Sequence, residues 1–226
     1  IMGGGRLMKD ILKVVKLDFL SVMPYFTLKN IIIFILLGIF YSYLMEAAIA
    51  VFISGFIIGI IFSSYPFIVG DVSNLDSLYS LCGISRKNIV KGRYLTAVLL
   101  SSVSALLCFT LAVFMKFAFN FEGDISMLVM TIIYSVIFMI FVILIQYPFF
   151  FKLGYMKGKM VAKVSTIFMV VAVAVGISFS SRIADLFVEN PKLLIQIVIP
   201  VTIVIVAISY IASKRLSLYF YEKRDF

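Results

Sequence analysis

The side chains able to do chemistry are few and unevenly chosen. The 226 residues include 20 Lys and Arg, 11 Asp and Glu and two Cys, but no His. Without imidazole, Ser–His and Cys–His nucleophile pairs, His-ligated zinc or haem and imidazole proton relays cannot be assembled. Cys82 falls in a connection and Cys108 in an apolar run. Two thiols are too few for a Cys-rich metal site or a disulfide framework, and both read as free. The segment from Gly154 to Met160 contains a Gly158-Lys159 pair. It lacks the spacing and closing hydroxyl of a phosphate-binding loop, so no nucleotide site is expected. Catalytic residues, a directly bound cofactor and a metal site are likewise not expected, and the chain alone is not read as an enzyme.

The solvent explains this scarcity. Hydrophobic residues make up 63% of the chain and charged residues 14%, against about 25% charged in an average soluble domain. Mean hydropathy is +1.17. Crossing a bilayer takes a helix of about 20 mostly apolar residues, and charge-poor runs of about that length recur. The expected fold is all-α: a polytopic membrane protein with six transmembrane helices at about 28–45, 47–70, 94–115, 125–151, 164–181 and 193–213. Ionisable residues inside spans mark proton relays and voltage sensors. Here Glu46 and Lys116 sit at span ends, so neither device is expected.

The basic residues orient the spans, because cytoplasmic loops collect Lys and Arg. Arg6, Lys9, Lys13, Lys16 and Lys29 precede span 1, and Arg86, Lys87, Lys91 and Arg93 follow span 2. Lys152, Lys157, Lys159 and Lys163 follow span 4, and Lys214, Arg215, Lys223 and Arg224 follow span 6. The opposite side receives Lys116, Arg182 and Lys192. Both termini are therefore expected in the cytoplasm. The net charge of +9 is a topology signal, and no nucleic-acid partner is implied.

Residues 1–7 read as a leader ahead of a natural start at Met8, and no signal-peptide pattern follows. Residues 8–23 read as an amphipathic interfacial helix ended by Pro24. Its apolar positions include Ile11, Val15 and Phe19, with Lys13 and Lys16 directed toward lipid headgroups. Spans 2 and 4 both end in Tyr-Pro-Phe, at Tyr65-Pro66-Phe67 and Tyr147-Pro148-Phe149. Each proline is a candidate kink bordering a cavity, or an ordinary packing bend. Gly55 and Gly59 form a small-xxx-small pair for close helix packing, within the subunit or across a dimer seam. The connection from Asp71 to Arg93 is the longest on the basic side and polar enough for a short helix under the membrane.

That connection, Asp71-Val-Ser-Asn-Leu-Asp76-Ser-Leu78-Tyr79-Ser-Leu-Cys-Gly-Ile84-Ser85-Arg86-Lys87-Asn-Ile-Val-Lys-Gly-Arg93-Tyr, resembles the ABC-2 type permease family. More narrowly it is similar to small six-span permeases of Gram-positive bacteria, including the membrane subunits of phenol-soluble-modulin and other peptide-toxin exporters. The segment from Tyr147 to Lys159, the tail from Ser213 to Phe226 and the helix before span 1 agree with this. Cys82-Gly83 stands where the family usually has Leu-Pro, so the loop keeps its turn with less rigidity.

The resemblance implies a permease subunit in a bacterial cytoplasmic membrane, working as a homodimer or close heterodimer with a second permease copy. A separate cytoplasmic ABC ATPase, carrying ATP and Mg, would supply the drive. A coupling helix within 71–93 would dock on it through Asp71, Asp76, Leu78, Tyr79, Ile84, Ser85, Arg86 and Lys87. Phe, Tyr and Met are abundant, which suits hydrophobic or amphipathic cargo, and the resemblance implies amphipathic peptides. Two alternatives stay open: export of a hydrophobic drug or lipid, and a membrane regulatory protein that binds a partner and moves nothing.

Overall fold

The computed structural model describes residues 3–120, 125–178 and 199–224. The regular elements among them are helices. They are α1 (Gly3–Val22), α2 (Leu28–Met45), α3 (Val51–Ser73), α4 (Leu75–Leu81), α5 (Arg86–Phe119), α6 (Ile125–Ser178) and α7, which spans Ile199–Glu222. Single 3-10 turns precede α2 at Met23–Tyr25 and α3 at Ala48–Ala50. The caps follow from sequence. The Thr27 hydroxyl accepts the Asn30 amide at the start of α2, and the Ser85 hydroxyl accepts the Asn88 amide at the start of α5. Glu46, Asn74 and Asn120 end their helices in the left-handed region.

Five stretches are long and apolar enough to cross a membrane: Leu28–Met45, Ser54–Ser73, Arg86–Phe119, Thr131–Val161 and Pro200–Glu222. The chain is thus a polytopic membrane protein with five such spans among its described residues, where six were expected. The expected span at 164–181 ends outside those residues, and its described part continues α6. The start of the expected span at 193–213 also lies outside them. Nor does a helix end at 151: α6 is interrupted at Gly154, whose φ of 71° and ψ of 170° favour glycine. Span 3 likewise begins earlier than 94, because the Ser85 cap starts α5 two turns before Arg93.

Residues up to Ile143 form one compact unit and Leu144–Arg224 a second. In the first, α3 and α5 are in close contact. A Cβ at Gly55 would fall 1.7 Å from Cys108 Sγ, and one at Gly59 would fall 2.7 Å from Ser104 Oγ. The Ser104 hydroxyl also donates to the Gly55 carbonyl at 3.1 Å, an interhelical bond that the missing side chain permits. The small-residue pair therefore faces α5 of the same chain. Phe34, Val51, Phe52, Cys108, Met115 and Leu128 fill the core around it.

The helix α1 carries two apolar faces. Ile11, Val14 and Val22 are buried, and a Cβ at Gly92 of α5 would meet Val14 Cβ at 2.7 Å, so α1 lies tightly on α5. Leu12 and Phe19, about 100° further round the helix, are exposed, as are Lys13 and Lys16. Val15 is half-buried between the two faces. Of the residues expected at the lipid surface, Ile11 is turned into the protein.

In the second unit, Pro148 lies inside α6. A proline has no N–H to offer the carbonyl four residues earlier, here that of Leu144. The Ser213 hydroxyl of α7 donates to that carbonyl. Tyr147, Phe150 and Phe151 pack beside it, with Tyr221 edge-on to Phe151 at 5.2 Å. At the other Tyr-Pro-Phe the helix likewise runs through its proline: α3 continues past Pro66 to Ser73.

Candidate functional site

The short helix α4 lies between two spans and is held by side chains that point inward. Asp76, in its first turn, is buried, and its Oδ1 sits 2.8 Å from Arg93 Nη2 of α5. Three residues on, and so on the same helical face, Tyr79 is also fully buried. Its hydroxyl donates to Asp18 Oδ1 of α1 at 2.6 Å. The Arg93 guanidinium lies 4.6 Å from the centre of the Phe67 ring and 5.9 Å from that of Tyr79. Gly70 makes room for it, since a Cβ there would stand 3.0 Å from Arg93 Nη2. The Thr96 hydroxyl donates to the Gly92 carbonyl at 3.1 Å and makes a longer contact of 3.5 Å with Asp18 Oδ2. Four helices thus meet in one buried cluster of two carboxylates, a guanidinium and a phenol.

Burial dominates its electrostatics. Asp18 is 0% exposed, and loss of water pushes its carboxyl up to about 6. The positive charge of Arg93 and the Tyr79 and Thr96 hydroxyls pull the other way, while the charge of Asp76 adds to the rise. Burial, followed by the neighbouring Asp18 charge, pushes the Tyr79 phenol above its ordinary range. Tyr79 therefore stays protonated, as a donor to Asp18 requires.

The other face of α4 is open. Leu78 is 42% exposed and Leu81 86%, with Ser77, Ser80 and Cys82 exposed around them. Lys87 and Ser85 are exposed at the start of α5, while Arg86 and Asp71 are half-buried. Tyr79 and Ile84, expected as part of an apolar anchor for a partner, are both buried within this chain. A buried ring cannot plug another protein's groove, so the apolar groups that α4 offers outward are Leu78 and Leu81.

Asp18, Arg93, Gly92 and Thr96 are absent from the residues that sequence singled out. One signal was present: Asp18 continues the spacing of Ile11, Val14 and Val22, which places a carboxylate within an apolar stripe. Among the described residues, no three Cys, Asp or Glu side chains gather as a metal site. A cavity of about 320 Å³ opens between α2, α3 and α5, lined by Asn30, Phe34, Phe62, Leu107 and Leu111 among others. Its wall is almost wholly apolar.

Residues 13–222 match the profile of a family described as ABC-2 family transporter protein. The chain belongs to the ABC-2 transporter family. The match takes in every side chain of the buried cluster, α4 and all five candidate spans. Comparison with curated proteins and with solved structures gave no significant match. As an ABC-2 family member, this polytopic chain is a membrane component of a transport system, and the buried cluster is part of its architecture.

Proposed function

We propose that this chain is the membrane subunit of an ABC exporter that carries amphipathic peptides out of a bacterial cell. In this reading the drive comes from a separate ATPase that holds ATP and Mg, and a second permease copy completes the pathway. The observation that carries the coupling part is the outward face of α4. A seven-residue helix between two spans, on the side rich in Lys and Arg, presents Leu78 and Leu81 to solvent, and Lys87 is exposed at the start of the next helix. Exposed apolar side chains rimmed by charge suit a protein partner. The distribution of basic residues supports placing α4 and both termini in the cytoplasm, in the inner membrane layer's field of anionic lipid.

A second reading for the cargo, a hydrophobic drug or lipid, is favoured by the cavity between α2, α3 and α5, where Phe34, Leu107 and Leu111 offer little to a peptide backbone. ATP hydrolysis in vesicles that co-express this chain with a candidate partner ABC ATPase separates the two. Stimulation by amphipathic peptides supports the first cargo, and stimulation by lipid or hydrophobic dye alone supports the second. No stimulation by any of them, with the ATPase bound, contradicts both cargo assignments.

A further inference from the structure

We propose that Asp18 is a positioning residue for α4: by accepting the Tyr79 hydroxyl it sets the roll of that helix and keeps Leu78 and Leu81 facing outward. The inference rests on the reading of α4 as a docking element and says what holds that element in its working orientation.

A helix of seven residues cannot hold its own orientation, since isolated helices of that length are unstable in water. Its ends leave the right-handed helical conformation. Asn74 stands at φ 51° before it, and Gly83 at φ 66° after it, with no atom within 4 Å of where a Cβ would be. The roll is therefore set by the side chains that pin it. Asp76 and Tyr79 pin one face, and Leu78 and Leu81 lie about 160° round from them. The two pins differ in reach. Asp76 binds Arg93 of the helix that follows α4, whereas Tyr79 reaches 61 residues back to Asp18. Asp18 thus ties the docking helix to α1, which itself packs against α5 through Val14 and leaves Phe19 exposed.

Chemistry argues that this carboxylate is more than packing. Its neighbours on the buried stripe are Ile11, Val14 and Val22. An apolar residue at position 18 would bind α1 to α5 without desolvating a charge, which is costly in a buried site. What an apolar residue cannot do is accept the Tyr79 hydroxyl and fix one rotation of α4.

Hydrogen exchange on the full-length chain in detergent tests this, comparing Tyr79→Phe, Asp18→Ala, Asp18→Asn and the Asp18→Ala/Tyr79→Phe pair. Tyr79→Phe deletes one oxygen and leaves the ring packed, so the test survives if Asp18→Ala folds poorly. The expected result is α4 exchange faster by about tenfold in Tyr79→Phe and Asp18→Ala, the loss of one hydrogen bond to a charged acceptor. The pair should be no faster than either single variant, and Asp18→Asn, which keeps an acceptor, should recover most of the protection. Asp10→Asn, which removes the Asp10–Lys13 pair on the exposed part of the same helix, should leave α4 unchanged.

Affinity for a candidate partner ABC ATPase should fall in Tyr79→Phe and be kept in Asp18→Asn, which loss of stability alone does not produce. Unchanged α4 exchange in Tyr79→Phe, or effects that add in the pair, overturns the proposal. If the wild type binds that ATPase and Tyr79→Phe binds it equally well, the docking reading stands and the role of Asp18 falls. If the wild type binds no such ATPase, the docking reading fails, and the exchange data still decide whether Asp18 holds α4.

Discussion

The same tripeptide, Tyr-Pro-Phe, occurs in both compact units and is used in two different ways. At Tyr65-Pro66-Phe67, Tyr65 stacks on Tyr25 at 4.5 Å and Phe67 lies beneath the Arg93 guanidinium, so the motif borders a buried cluster of charges. At Tyr147-Pro148-Phe149, Tyr147 packs among Phe150 and Phe151, and the carbonyl that Pro148 leaves without a donor is taken by Ser213. One site is held by charge and the other by a hydroxyl and apolar packing. The motif fixes the local backbone chemistry, and the neighbouring helices decide what it serves. Around Phe67 they bring charged groups from α1, α4 and α5, which suits a place where helices must stay in register. Around Tyr147 the aromatic bulk comes from α6 itself, with Tyr221 of α7 against Phe151.

The contrast predicts unequal sensitivity. Arg93→Ala strands Asp76 and Asp18 in a dry site, and removing one partner of a buried pair costs about 3–5 kcal/mol. Lys152, exposed over the Phe220 ring at 4.9 Å, is worth at most about 1 kcal/mol there. Thermal unfolding in detergent should show Arg93→Ala severely destabilised or absent from membranes, and Lys152→Ala close to wild type. Equal effects would erase the distinction between the two units.

Gly55→Val comes next. Its added atoms would occupy the space of Cys108 Sγ, and overpacking of this kind costs about 1–3 kcal/mol. The same assay combined with Cys108→Ala should recover part of the loss, because the smaller residue vacates that space. No recovery would mean that the close approach of α3 and α5 is not what Gly55 provides.

Ser213→Ala should cost less, about 1–2 kcal/mol for an orphaned carbonyl. Its effect should shrink when Pro148 is also replaced by Ala, since residue 148 then regains an N–H for Leu144. A double-mutant cycle measures this directly, and additive losses would show that Ser213 does not serve the proline.

The smallest effect is on pH dependence. Asp18 titrates near 6 when buried and near 3.8 when exposed, so docking of α1 favours the protonated form. Its contribution to stability is greatest below about 3.8 and is lost as pH rises through 6. The groups that face it are Tyr79 of α4, Arg93 and Thr96 of α5 and, at longer range, Asp76. The melting temperature of wild type minus that of Asp18→Asn should therefore rise between pH 7.5 and pH 5. A flat or falling difference would show that Asp18 is not desolvated.

Hydropathy was enough to read the helical, membrane-spanning class, because bilayer thickness imposes a length that sequence alone displays. The break in α6 was not legible at Pro148, since it falls at Gly154, where a positive φ rather than a missing N–H sets the bend. The buried cluster was hidden for a different reason. Arg93 counts as a loop residue until Ser85 is seen to start α5 two turns earlier, and Asp18 counts as a surface acid until Gly92 is seen to bring α1 onto α5. Both depend on contacts between helices far apart in sequence. Tyr79 shows the limit most clearly: the family resemblance marked it as an anchor for a partner, while the fold uses it as an anchor for α4 itself.

The most direct test of the account is the affinity of the purified chain for a candidate partner ABC ATPase, measured for wild type and for Leu78→Glu/Leu81→Glu. Both leucines are exposed, so the pair should insert and melt as the wild type does. The account predicts tight binding by the wild type and its loss in the pair, with membrane yield unchanged. Undiminished binding by a normally folded Leu78→Glu/Leu81→Glu chain would contradict it, because the open face of α4 would then not be where the motor docks.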